Sequence, residues 1–394
     1  MSTLTLPECT VSVKQLGEGG WQAAMDVLIE QVRLRRLEFD QGKHVPVDVI
    51  NLMKKAGIFR ASTPACFGGE PLPPAELLRR VERISEVDGS AGWVSAFGSA
   101  NTYLARLPYE TQKLLYATGP DQVFAGGLFP PHYGEAVEGG WILNGRWKFA
   151  SGCKGADWMG VGIKVDSPDG KSPPSVRMAV MPATEVEIVE SWDVVGMQGT
   201  GSHDLRLENT FVAHEWTCQR ELPSPIDEPL YRYPALAYQA QVHAVVNIGL
   251  ARAALDTVIE MGGGAKIIPG ASRLADRAYY RTSIAQCEAK LRSARAFFYE
   301  TAEQAWDMLI SKGELTRELH SLVLLSAAHA AHTSTDIVQE AYRIAGIGVI
   351  QKSHRLQAIA RDSMVITQHA ALSLGTFDAA GSIFVGVEPV IPYV

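Results

Sequence analysis

GGWILNGRWKFASGCKGADW, residues 139–158, carries the densest structural signal in the chain. Within it, WILNGRWKF alternates apolar and polar residues on each side of Asn144-Gly145, a pair able to adopt the positive φ angles of a type I′ turn. The pattern predicts a β-hairpin there. VRMAVMPA (176–183), VEIVESWDVVG (186–196) and HDLRLENTFVA (203–213) follow in the same short, alternating style, so the middle third reads as a small β domain, a sandwich or barrel.

Outward from this block the period changes. On the N-terminal side, apolar residues recur every three or four positions through WQAAMDVLIEQVRLRRLEF (21–39), VDVINLMKKAGI (47–58) and the run from Ala75 to Leu107, which predicts helices. CFGGEPLPP between them is a loop by composition. After PSPIDEP (223–229) the helical period returns. Ile284, Cys287, Leu291, Ala294, Phe298, Ala302 and Leu309 form one stripe, the pattern of an antiparallel bundle. The expected fold is α+β: an N-terminal helical domain over 1–119, a middle β domain over 120–222 and a C-terminal four-helix bundle over 223–394. The junction of such parts is where ligand clefts commonly form.

Composition narrows the function. With 394 residues and 46% hydrophobic content, the chain can bury two or three substantial cores. Its formal charge of −7 and the lack of a basic stripe argue against nucleic acid. No secretory leader pattern and no uninterrupted apolar run of about 20 residues is present, so a cytoplasmic protein without a membrane span is expected. Cys9, Cys66, Cys153, Cys218 and Cys287 are odd in number, scattered and never spaced as CxxC. They read as free thiols, and no metal site is expected.

The quoted stretch also resembles the β-domain signature of the acyl-CoA dehydrogenase superfamily, in which an Asn-Gly pair precedes an aromatic–x–Ser/Thr triplet and a tryptophan. WDVVGMQGTGSHDLRLENTFV (192–212) resembles the second signature, a glycine-rich turn leading into a strand. VQEAYRIAGIGVIQKSHRLQAIARD (338–362) resembles the third, two glycines followed by an Arg-Asp pair. Glycine turns and sandwich aromatics alone would be unremarkable; their order and spacing make the resemblance specific. It implies that Phe149, Ser151, Gly152, Trp192, Thr200 and Ser202 hold a flavin, with Ser151 near flavin N5. A cation on the loop after the first bundle helix is implied too, Lys266 or Arg273.

A dehydrogenase of this superfamily removes a proton α to a thioester carbonyl with a glutamate base. One class places it nine residues after the Arg of the Arg-Asp pair; from Arg361 that is Ala370. The other class places it ten residues before a glycine matching Gly249, which is Gln239. The acidic T-E-P element before the hairpin is also missing, since FAGGLFPP (124–131) stands there. The chain looks closer to another branch, the two-component (group D) flavin monooxygenases, which carry a histidine after Arg-Asp. His369 matches it.

That resemblance implies an oxygenase component that takes reduced FMN or FAD from a separate NAD(P)H-dependent reductase, adds O2 at flavin C4a and hydroxylates a small aromatic or heteroaromatic compound. Ser151 and His369 would be catalytic, His369 stabilising the oxygenated flavin as a neutral imidazole. Trp93, Asn101 and His369 would face the substrate. Phenol hydroxylases of the branch have a histidine eight residues after a Gly-Trp tryptophan, where this chain has Asn101. An amide cannot take a phenol proton, so an indole-like substrate is as well supported as a phenol. A homotetramer is implied, because family cofactor sites lie near subunit contacts. An acyl-CoA dehydrogenase with a relocated base, an amine N-oxygenase and a non-catalytic descendant remain as alternatives.

Overall fold

The computed structural model describes residues 20–166, 174–220, 222–263 and 272–390. Among the described residues six helices come first: α1 (Gly20–Gly42), α2 (Val47–Lys55), α3 (Pro74–Ser85), α4 (Gly89–Ala96), α5 (Asn101–Leu104) and α6 (Tyr109–Leu115). Proline opens α3, where its missing N–H is no loss. Asp88 caps α4, its carboxylate accepting the Ala91 N–H at 2.8 Å.

Seven strands follow: β1 (Phe124–Val137), β2 (Gly140–Ala150), β3 (Trp158–Val165), β4 (Ser175–Pro182), β5 (Glu187–Val189), β6 (His203–Ala213) and β7 (Thr217–Cys218). Their order is β5-β6-β2-β1-β3-β4-β7. β1 joins two halves, pairing parallel with β3 through its first part and antiparallel with β2 through Gly134–Val137. Both halves contribute to one core around the fully buried Trp147, whose Nε1–H donates to the Gly162 carbonyl at 2.8 Å.

The hairpin expected at Asn144-Gly145 is not there. β2 runs straight through that pair, and the chain reverses one strand-length earlier, where Val137 faces Gly140 and Gly139 takes the left-handed φ of 79°. Asn144 and Gly145 instead sit opposite a bulge in β6: Leu143 pairs with Thr210 but Gly145 pairs with Leu207. Asn144 Oδ1 accepts the N–H of Asn209, the bulged residue with φ 49°. A side chain at Gly145 would strike the His132 ring at 2.9 Å. The Asn-Gly signal was therefore real but marks a bulge rather than a turn.

The remaining helices are α7 (Pro229–Arg232), α8 (Ala235–Gly263), α9 (Ala278–Lys312), α10 (Arg317–Ala345), α11 (Arg355–Ile366) and α12 (Gly375–Phe384). α10 packs on α8, α9 and α11. On α9, Cys287, Leu291, Ala294, Phe298, Ala302 and Leu309 are buried as one stripe, with Ile284 packed at its edge. α8 is apolar on nearly every side because protein covers nearly every side. It is also the one described helix long and apolar enough to cross a membrane, and 78% of that window lies buried inside the protein.

The N-terminal helices lock onto this bundle through α3. Gly249 lets the two backbones touch, since a Cβ there would fall 2.6 Å from Ser85 Cβ. Buried Glu82 receives Arg295 Nε at 2.6 Å and the Tyr299 hydroxyl at 2.5 Å. That contact fixes α4, which follows α3, against α8.

Candidate active site

Four segments meet where α4, the end of β2, the turn before β6 and the end of α11 converge. Gly92 packs α4 so close to α3 that a Cβ would fall 2.1 Å from Ser85 Oγ. Its neighbour Trp93 is thereby presented to the sheet. Trp93 Nε1–H donates to Ser151 Oγ at 3.2 Å, and Ser151 Oγ lies 2.7 Å from Ser202 Oγ. Ser202 Oγ lies 2.7 Å from Thr200 Oγ1, which donates to the Met197 carbonyl at 2.8 Å.

This chain has one direction. A hydroxyl has one hydrogen to give. Thr200 gives its hydrogen to Met197, so Ser202 must donate to Thr200 and Ser151 to Ser202. Ser151 is left with a lone pair and no proton, able to receive a further donor.

Phe149 stands at the mouth of this row. It is 64% exposed and has φ 65°, a left-handed backbone that a bulky residue rarely adopts. Trp192 approaches it edge-to-face, with ring centroids 6.3 Å apart. The Trp192 N–H donates to His203 Nδ1 at 3.2 Å, and its indole N–H donates to the Met197 carbonyl at 3.1 Å. Gly152 N–H reaches the Thr200 carbonyl at 2.8 Å, tying the two glycine-containing segments together.

The Arg-Asp pair clasps the same turn. Asp362 Oδ1 accepts the Met197 N–H at 2.5 Å, and Arg361 Nη1 donates to the Val195 carbonyl at 3.0 Å. Gly196 is required between them, because its Cβ would fall 2.4 Å from the Arg361 carbonyl oxygen. Burial, with the Asp88 carboxylate nearby, pushes the Asp362 carboxyl well above its ordinary range.

α11 ends shortly after, and His369 begins a short 3-10 turn. Its Nδ1 accepts the Ala371 N–H at 3.3 Å, so its single proton sits on Nε2. Burial lowers its pKa to about 4. His332 Nε2 meets the Leu372 carbonyl at 2.9 Å and steadies this turn.

The sequence reading missed His243. It lies on α8, 3% exposed, its ring stacked on Trp93 at 4.2 Å between centroids and tilted against His369 at the same distance. Burial, then the adjacent His369, lowers its pKa well below the usual imidazole value. Both rings are neutral at pH 7. One signal existed: His243 is four residues after Gln239, hence one turn along the same helix face.

Other expected residues lie elsewhere. Asn101 was expected to face substrate, but its Nδ2 donates to the Phe59 carbonyl at 2.9 Å and to Thr63 Oγ1 at 3.0 Å, pinning the loop after α2. A buried amide next to an uncovered backbone carbonyl is drawn to it. Arg273 caps its own 3-10 turn and pairs with exposed Asp276 at 3.0 Å. Lys266 lies outside the described residues.

Residues 241–374 match the family described as acyl-CoA dehydrogenase, C-terminal domain. An indole-3-acetate monooxygenase of Pseudomonas putida is 42% identical over 100% of both chains. The oxygenase subunit HsaA of a flavin-dependent monooxygenase from Rhodococcus jostii is 25% identical, covering 88% of this chain and 93% of its own. The chain belongs to the two-component flavin monooxygenases of the acyl-CoA dehydrogenase superfamily. Its fold is also that of a 3-HSA hydroxylase from Rhodococcus, with TM-score 0.88, 24% identity and coverage of 95% of this chain and 99% of that one.

The oxygenase has a donor set that suits a reduced flavin. Ser151 offers an acceptor, Phe149 and Trp192 offer flat apolar faces, and His203 Nε2 is buried without a partner among the described residues. The two positions at which the resemblance implies a dehydrogenase's glutamate hold Gln239 and Ala370. The enzyme is an oxidoreductase that depends on flavin, and its reaction class implies a flavin reductase partner and a small aromatic substrate.

Proposed function

We propose that this oxygenase inserts one oxygen atom into an electron-rich heteroaromatic ring of the indole type, held among Trp93, His369 and the neighbouring His243. The observation that carries the reading is His369: a neutral imidazole with its proton on Nε2, beside Trp93, where the dehydrogenase branch would place a carboxylate one residue later. The 42% identity to an indole-3-acetate monooxygenase supports the substrate class.

Reduced flavin, when bound, supplies the electrons that activate O2. The protein's part is to hold it and keep water out. Ser151 would accept a hydrogen bond from a ring N–H of the reduced cofactor, Phe149 and Trp192 would offer it apolar faces, and the turn containing Gly152, Thr200 and Ser202 would let backbone approach closely. His369 donates from Nε2 without bearing a charge that would draw water in. A carboxylate there would repel the negative charge that develops during oxygen transfer.

We take the assembly to be a homotetramer. The exposed apolar side chains Ile347, Leu374, Phe384 and Val385 in the C-terminal part support contact with a second copy.

The test is turnover with a flavin reductase, NADH and O2, in the presence of indole-3-acetate, a phenol of similar size or an acyl-CoA. Oxygen uptake matched by an indole product one oxygen heavier is expected. Acyl-CoA-dependent reduction of an artificial electron acceptor would overturn the proposal.

A further inference from the structure

His243 has no place in the hydroxyl row, yet it is buried as deeply as the residues that do. Its Nδ1 is buried without a hydrogen-bond partner among the described residues. Such groups are rare in folded proteins because an unpaired buried nitrogen is costly. On the same helix face Ala240 and Val246 are apolar and buried, and Trp93 and Phe97 lie against the ring, so an aliphatic residue at 243 would pack there without that cost. The Gln239 carbonyl, one turn earlier on α8, accepts the ring's single N–H, which leaves the other nitrogen as a bare acceptor.

The two imidazoles differ in what they can still do. A neutral ring has one lone-pair nitrogen. In His369 that nitrogen is Nδ1, already engaged by the Ala371 N–H. His243 receives no hydrogen bond from a described residue, so the acceptor capacity of the pair resides there. Trp93 on one side and Phe97 at 6.1 Å on another make its surroundings flat and apolar.

We infer that His243 is a specificity-determining residue that accepts a hydrogen bond from the ring N–H of a heteroaromatic substrate. The inference rests on the oxygenase reading and narrows it to rings that carry a donor. A phenol hydroxylase profits from a base that draws off the phenol proton, and an imidazole buried among aromatic rings is a poor base. An indole N–H needs only an acceptor, since no side chain would deprotonate it.

The experiment is anaerobic equilibrium binding to protein loaded with reduced FAD, comparing indole-3-acetate with its benzofuran analogue, in which oxygen replaces the ring N–H. The native protein should bind the indole about 10-fold more tightly. His243→Leu should bring the two within about 2-fold, whereas His243→Gln, which keeps an acceptor, should retain part of the gap. Equal binding of both compounds by the native protein, or an undiminished gap in His243→Leu, would overturn the inference. Turnover in air separates the two readings. Product formed without a binding gap sinks the role of His243 alone, and a gap closed by His243→Leu without any product sinks the oxygenation and leaves the recognition standing.

Discussion

Trp93 Nε1–H donates to Ser151 Oγ at 3.2 Å, and that bond joins a helix near the N-terminus to the end of the central strand β2. The row Ser151, Ser202, Thr200 that it meets is directed from its far end, where Thr200 donates to the Met197 carbonyl. Ser151 can then receive a donor but cannot offer one. A reduced flavin has a ring N–H that the oxidised form lacks, so under the proposed flavin role the row would favour the reduced state.

Thr200→Val should remove this preference. Without the Thr200 hydroxyl, Ser202 is free to turn and Ser151 to reverse its proton, while the Met197 carbonyl keeps the Trp192 indole N–H. Reduced flavin should bind about 10-fold more weakly, the worth of one well-placed hydrogen bond, with oxidised flavin little changed. Anaerobic fluorescence titration of both redox states measures the ratio.

Phe149 trades backbone strain for position. Its φ of 65° costs a non-glycine residue about 1 kcal/mol, and its ring is mostly exposed, so little burial repays that cost. Phe149→Gly should therefore leave the fold as stable or up to about 1 kcal/mol more stable, while flavin affinity falls. Thermal melts and flavin titrations on one preparation read both effects.

Asp88 makes stability depend on pH. Burial raises its pKa to about 6 despite the cap it forms on α4. A carboxyl raised above its unfolded value binds its proton more tightly in the native state, so its favourable contribution is complete below about pH 4 and is lost as pH rises through 6. Asn can cap a helix equally well. Asp88→Asn should match the native protein near pH 4 and melt at higher temperature at pH 7, as a series of melting curves would reveal.

The three layers of helix, strand and helix were legible in the sequence because period 3.6 and period 2 alternate cleanly around residues 120 and 220. Asn144-Gly145 misled, since local propensity does not distinguish a reversing turn from a bulge whose extra residue lies in the facing strand, at Asn209. The hydroxyls at 151, 200 and 202 and His369 stood at spacings a resemblance could mark. His243 did not: it sits inside an apolar helical run, and only the packing of α4 against α8 brings it beside Trp93. Asn101 failed for the converse reason, because its bond to the Phe59 carbonyl depends on a loop that sequence spacing does not locate.

The most direct test is the ratio of hydroxylated product to O2 consumed in His369→Ala and the native oxygenase, under identical supply of reduced flavin and indole-3-acetate. His369 is neutral down to about pH 4, so the comparison at pH 7 probes a donor and not a charge. Oxygen uptake should continue in the variant, with product falling at least about 10-fold and the balance released as hydrogen peroxide. An unchanged ratio of product to oxygen would contradict this role of His369.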